Sequence, residues 1–290
     1  KTVYPVASCN DKDFQNLMHV YMDAVLYPNI YNHDKTFRQE GWSYKLDEKD
    51  GELSYNGVVY NEMKGAFSSP EGVLDRVVLN TLFPDNCYAN ESGGDPEVIP
   101  QLTYEQFLDF HRTYYHPSNS YIYLYGDMDI EERLTWLDEE YLSHYDVNEV
   151  EVHSQIQLQK PFDAVVSERR TYPITEDEPE GKHTYLSYNK VVGTVLDREL
   201  YQAFSILDYV LVSAPGAPVR QALIDAGIGE DVYGSFEDGM LQPMFSIVAK
   251  NADESDQTRF VQIIEETLQK LVKEGLNQDS LLAGINSAEF

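Results

Sequence analysis

Helical and strand periodicities alternate along the chain without ever settling into a regular strand–helix–strand repeat, and this irregular order narrows the fold most. Apolar residues recur at three- and four-residue spacing in Phe14, Leu17, Met18, Tyr21 and Val25, then in Leu74, Val77, Val78 and Leu82, and again in Phe260, Ile264, Leu268 and Leu271. Short alternating runs bounded by turn residues lie between these stripes. The pattern predicts an α+β chain of two mixed domains, each a mostly antiparallel sheet with helices packed on one face. A chain of 290 residues is long enough for two cores. Weak periodicity over 147–161 reads as an interdomain linker, with a first domain at 1–146 and a second at 162–290.

Local signals place the elements. Asn10 or Asp11 can cap the first helix. Residues 39–46 read as a strand, Lys49-Asp50-Gly51 as a turn, and residues 52–55 as the returning arm of a hairpin. Ser69 and Pro70 form a cap with proline in the first helical position, and Thr103 with Gln106 forms a capping box for a helix through Tyr115. An acidic helix is predicted over 129–142. Further strands are expected at 1–7, 121–125, 162–171, 183–189 and 242–249, with the acidic stretch 175–181 as a loop. Three more helices follow: a long one marked by Leu196 to Leu211, one at 218–226 stopped by Gly227, and a last long one ending before Gly275. The chain opens as if a strand were already under way and closes inside a helical pattern. An internal piece of a longer protein is therefore expected, with both domains incomplete.

Charge and cysteine content exclude some partners. Fifty acidic and 21 basic residues leave a net charge of −29, which argues against nucleic acid, whose phosphates need clustered Lys and Arg. The same charge favours solubility and could steer basic peptides toward the surface. No apolar run is long enough to cross a bilayer, so the chain reads as soluble and without a membrane partner. Cys9 and Cys87 form no Cys-x-x-Cys pair, and two cysteines in so long a chain favour a reducing compartment.

Chemistry concentrates on Glu62. Read as a helix, Val58, Val59, Met63, Ala66 and Phe67 form an apolar stripe, and Glu62 sits on it, four residues after Val58 and four before Ala66. A carboxylate on such a face must be neutralised, hydrogen-bonded, ion-paired or bound to a metal. It is therefore either a candidate metal ligand or half of a buried ion pair, for which Arg38 and Arg76 are candidate partners. With Asn56 as cap, Glu62 lies past the first turn and gains little from the helix dipole. The sequence has neither His-Glu-x-x-His nor its inverse, and none of the seven histidines pairs with another at helical ligand spacing. His111 falls on an apolar helix face and reads as a core residue, His19 falls on a polar face, and His116 before Pro117 reads as a turn residue. No Gly-x-Ser-x-Gly elbow, Walker loop or dinucleotide fingerprint is present. Ser92-Gly93-Gly94-Asp95-Pro96 reads as a tight-turn loop, and Tyr121, Tyr123 and Tyr125 as one aromatic face of a strand.

Asn61-Glu62-Met63-Lys64-Gly65-Ala66-Phe67 resembles the helix carrying the third zinc ligand in presequence proteases, inverted-motif zinc peptidases of the pitrilysin and insulinase superfamily. Gln39-Glu40-Gly41-Trp42, Ser92-Gly93-Gly94-Asp95-Pro96 and Tyr114-Tyr115-His116-Pro117-Ser118-Asn119 match in the same order. Ala222 to Gly229 carries the clearest similarity in the second half. The resemblance implies homologous α+β domains closing around a chamber in which short unstructured peptides are cut. It also implies a zinc held by two histidines of His-x-x-Glu-His, whose Glu is the general base, and by Glu62. This chain lacks that motif, so no catalytic base is assigned to it and Glu62 is its single metal ligand. The implied parent is a zinc metalloendopeptidase, and the piece alone is expected to be inactive, with zinc absent or weakly bound. Its partners would be unfolded peptides and the remaining domains of the same parent. Its setting would be the cytoplasm in a bacterium or an organelle lumen in a eukaryote. The alternative is a catalytically dead homologue acting as a scaffold or peptide-binding partner.

Overall fold

The computed structural model describes residues 2–147, 151–174 and 182–289. The chain is mixed helix and antiparallel sheet, as the periodicities predict. It forms two compact units, Lys1–Phe67 with Ser92–Gln155, and Ser68–Glu91 with Ile156–Phe290. These units are not the expected 1–146 and 162–290, because residues 68–91 pack with the second half of the chain.

In the first unit, α1 (Asp11–Leu26) starts where Asn10 accepts a hydrogen bond from the Asp13 amide. The hairpin forms from β1 (Ser43–Lys45) and β2 (Ser54–Asn56), paired antiparallel with Tyr44 opposite Tyr55. It is shorter than expected because Phe37–Gly41 winds into a π-helical turn. α2 (Val58–Ala66) follows at once. α4 (Tyr104–Tyr114) carries the predicted capping box between Thr103 and Gln106, and α5 (Ile130–Glu140) is capped by Asp129. Met18, Met63, Ile99, Leu108 and Leu137 are buried here. So is the Arg133 side chain, bound to Asp11 and Gln15 at 2.5 Å each, which meets the requirement that a buried charge be partnered.

The second unit is built on a three-stranded sheet in the order β3–β5–β4, from β3 (Thr184–Val191), β4 (Asp231–Glu237) and β5 (Met244–Ala252). β4 has no counterpart among the sequence-predicted strands, because Gly234 and its polar neighbours hide the alternation. Leu186, Val232, Phe245, Ile247 and Ala249 line one face and pack against Leu211, Val212, Val219, Leu223, Phe260 and Ile264. Those residues come from α6 (Arg198–Asp208) with its π-helical extension Tyr209–Ser213, from α7 (Pro218–Asp225) and from α8 (Gln257–Glu274). α9 (Gln278–Glu289) ends the described chain. Most helices pack on this face, as expected, and a further one reaches the other. β5 is buried on both sides, Ser246 and Val248 included, so the second face also needs a cover. α3 (Pro70–Leu82), started by Ser69 as predicted, supplies it.

Three expected strands do not form. Residues 2–7, 121–125 and 162–171 run without strand pairing, and Tyr123, Tyr125 and Val165 stand exposed. Their alternation is present, but strand structure is made by ladder hydrogen bonds to a neighbour, and none reaches them from the described residues. The linker has a fixed point at Gln159, whose amide donates to Gln242 and whose side chain donates to Asp85. The acidic stretch 175–181 lies outside the described residues.

Candidate functional site

α2 is seated by glycines at two points. Gly57, not Asn56, is its N-cap residue, at φ 151°. A Cβ there would lie 2.2 Å from the carbonyl oxygen of Gly41, so only glycine lets the hairpin strand turn this sharply into the helix. Asn56 contributes differently, accepting a hydrogen bond from the Asn61 side chain at 3.0 Å. On the other side, a Cβ at Gly93 would fall 2.2 Å from the Met63 sulfur, so the Ser92–Pro96 loop rests directly on the buried methionine of α2. That loop is the predicted tight turn, closed by Asp95, which accepts from the Glu97 amide. The hairpin adds an aromatic buttress: Trp42 meets Tyr44 and Tyr55 edge-on, and Tyr55 meets Tyr60 of α2.

This seating selects which face of α2 is hidden. Met63 is buried and Val59, Tyr60 and Phe67 are half-buried, whereas Val58 is 52% exposed and Glu62 and Ala66 are exposed with it. The row Val58, Glu62, Ala66 is therefore an uncovered stripe, and the sequence-based expectation that Glu62 faces a packed apolar surface does not hold. Glu62 makes no hydrogen bond or ion pair with any described residue of its own unit. The guanidinium of Arg38 is taken by Asp34 at 2.6 Å, so Arg38 is not the partner of Glu62. A free carboxylate on a fixed helix can accept donors or fill one oxygen position on a metal.

The histidines do not join it. His111, expected in the core, is half-buried and bonded through Nδ1 to the Tyr31 hydroxyl at 2.6 Å and through Nε2 to the Val25 carbonyl at 2.8 Å. His116 caps the turn Pro117–Asn119, its Nδ1 accepting from the Ser118 amide. His19 lies exposed beside Asp23 at 3.5 Å. Among the described residues no group of three His, Cys, Asp or Glu is placed to hold a metal. Glu62 could supply one ligand, and the residues present do not complete a site.

The chain matches the model of the peptidase M16 inactive domain over residues 101–287. The chain belongs to the M16 peptidase family. It is 50% identical over its whole length to protein HypA of Clostridium perfringens, of which it spans 30%. It is 41% identical to presequence protease 1, chloroplastic/mitochondrial, of Arabidopsis thaliana, of which it spans 27%. Among solved structures, an M16 inactive domain from Pseudomonas fluorescens superimposes with a TM-score of 0.55 at 17% identity, covering 80% of this chain and 54% of that one. The chain thus spans under a third of the length of HypA and of presequence protease 1, and the likeness to the latter holds over its full length. Among the described residues no helix is long and apolar enough to cross a membrane.

A polar cluster that no local pattern foretells lies in the second unit of this M16 chain. Glu71, in the first turn of α3, accepts from Lys250 of β5 at 2.7 Å and from the Tyr185 hydroxyl of β3 at 2.8 Å. These bonds, Lys250 first, lower the Glu71 carboxyl to about 2. The bonds to Glu71 and Tyr185 raise Lys250 well above the ordinary amine range. Burial, with the charges of Glu71 and Glu237, raises Asp75 one turn along. No sequence signal marks the cluster, because its members lie 114 and 179 positions apart.

Proposed function

We propose that this chain is part of a zinc metalloendopeptidase that degrades short unstructured peptides in a closed chamber, and that Glu62 is the zinc ligand it contributes. The observation that carries this reading is the state of Glu62: exposed, unpaired, and held on a helix that Gly57 and Met63 lock in place. A carboxylate already ion-paired would have to be released before binding a metal, and this one is free. A catalytic zinc takes three protein ligands, so the other two, and the general base, are assigned to the rest of the parent. The parent's remaining domains are then partners, together with unfolded peptides, and the charge of −29 favours basic ones. By the hosts of its relatives, the setting would be a bacterial cytoplasm or an organelle lumen.

The test is a zinc assay and a quenched-peptide assay on the purified chain. Neither stoichiometric zinc nor hydrolysis is expected. Chelator-sensitive turnover by the chain alone would overturn the proposal. In the full-length parent, Glu62→Gln should lower both zinc content and turnover, and a variant keeping both would remove Glu62 from the metal. One observation favours a second reading, a non-catalytic scaffold: the matched model is that of an inactive domain, and Glu62 lies outside it. A metal-free parent that still binds peptide would favour that reading.

A further inference from the structure

An open surface cavity of about 760 Å³, wide at its mouth, lies on the second unit. Separate chain segments converge on it: the turn Cys87–Ala89, the start of α6, and the β4–β5 loop. Tyr88 is fixed there, packed edge-on against Phe83, with its hydroxyl accepting from the Leu241 amide at 2.9 Å. Having accepted that bond, the hydroxyl keeps its own proton to donate. Asp238 takes a hydrogen bond from Tyr201 on one oxygen, at 2.5 Å, and leaves the other without a partner among the described residues. Met240 and Leu241 supply the apolar part of the wall.

Arg198 also lines this cavity, and its guanidinium makes no ion pair with any described residue. Six other arginines each have a carboxylate within 4 Å, at 2.6, 2.9, 2.5, 2.7, 2.9 and 3.3 Å. Asp238 shares the cavity with Arg198, and the two do not pair. One cavity therefore offers an unused cation, an acceptor oxygen, a hydroxyl donor and an apolar wall.

We propose that this cavity is a binding site for the free C-terminal residue of a short peptide with an apolar side chain. Arg198 takes the terminal carboxylate in a bidentate pair, Asp238 accepts the peptide N–H, and the side chain lies on Met240 and Leu241. Other cations, Arg259 among them, also make no ion pair with a described residue, and Arg198 differs from them in standing beside an acceptor oxygen, a hydroxyl and an apolar wall. The site shares no residue with Glu62 and its occupancy needs no metal.

The experiment is calorimetric titration of the 290-residue chain with acetyl-Leu-Leu as the free acid, in the presence of chelator. Success or failure is thereby separated from the zinc reading. Saturable binding is expected, weakened about tenfold or more in Arg198→Ala and for the peptide amide, since a charge-assisted bond is lost in both. Arg198→Lys should recover part of the affinity. A hexanoate control, which lacks the N–H, should bind more weakly. The proposal fails if the wild-type chain does not bind, if acid and amide bind alike, or if hexanoate matches the peptide. The comparison of acid with amide needs no variant, so it stands even if a substitution unfolds the chain.

Discussion

Glu62 and Gly57 lie five residues apart and are expected to respond to substitution in opposite ways. Glu62 is exposed and touches no partner, so Glu62→Gln should leave the stability of the chain within about 0.5 kcal/mol of wild type. Breaking a buried ion pair would instead cost about 3–5 kcal/mol, so urea unfolding of this variant decides between the two sequence-based accounts of the residue. Gly57 sits at φ 151° with no room for a Cβ. Gly57→Ala should cost about 2 kcal/mol or more, from backbone strain and from the clash with Gly41. The same urea experiment reads both.

α3 shows what an element gains from its tertiary partner. Its start was legible in Ser69 and Pro70, but its function as cover for the second sheet face rests on Glu71 meeting Lys250 and Tyr185. The Glu71 carboxyl is lowered from 4.5 to about 2. A lowered carboxyl contributes stability that is complete above the unfolded value and is lost as pH falls through the folded one. Lys250 is raised, so its share is complete below its ordinary 10.5 and fades only in strong alkali. Both side chains are more than a third exposed, and solvent screens them. Glu71→Gln should therefore lower Tm by about 2–4 °C at neutral pH. That gap should close between about pH 4.5 and about pH 2. A gap independent of pH would show that the carboxylate does not hold α3 in place.

For the whole molecule, the dominant quantity is the net charge of −29. Self-repulsion at this level opposes compaction, so salt should stabilise the chain. Raising ionic strength from about 0.01 to about 1 M shortens the screening length from about 30 to about 3 Å. Tm is expected to rise across that range by thermal denaturation, and a fall would mean that paired charges outweigh the repulsion.

Most helices were legible in the residues alone, because a helix satisfies its backbone internally and its caps and stripes are local. Asn10, Ser69, the Thr103–Gln106 box and Gly275 all marked real boundaries. The local pattern also set the mixed antiparallel class and the hairpin, through turn chemistry and alternation. Which strand-like segments became strands depended on long-range packing, since residues 121–125 and 162–171 have the pattern and find no ladder partner among the described residues. Long-range packing, too, turned the Glu62 row outward. Amphipathic spacing states that a face is apolar, and whether that face is covered depends on neighbours brought up from far along the chain.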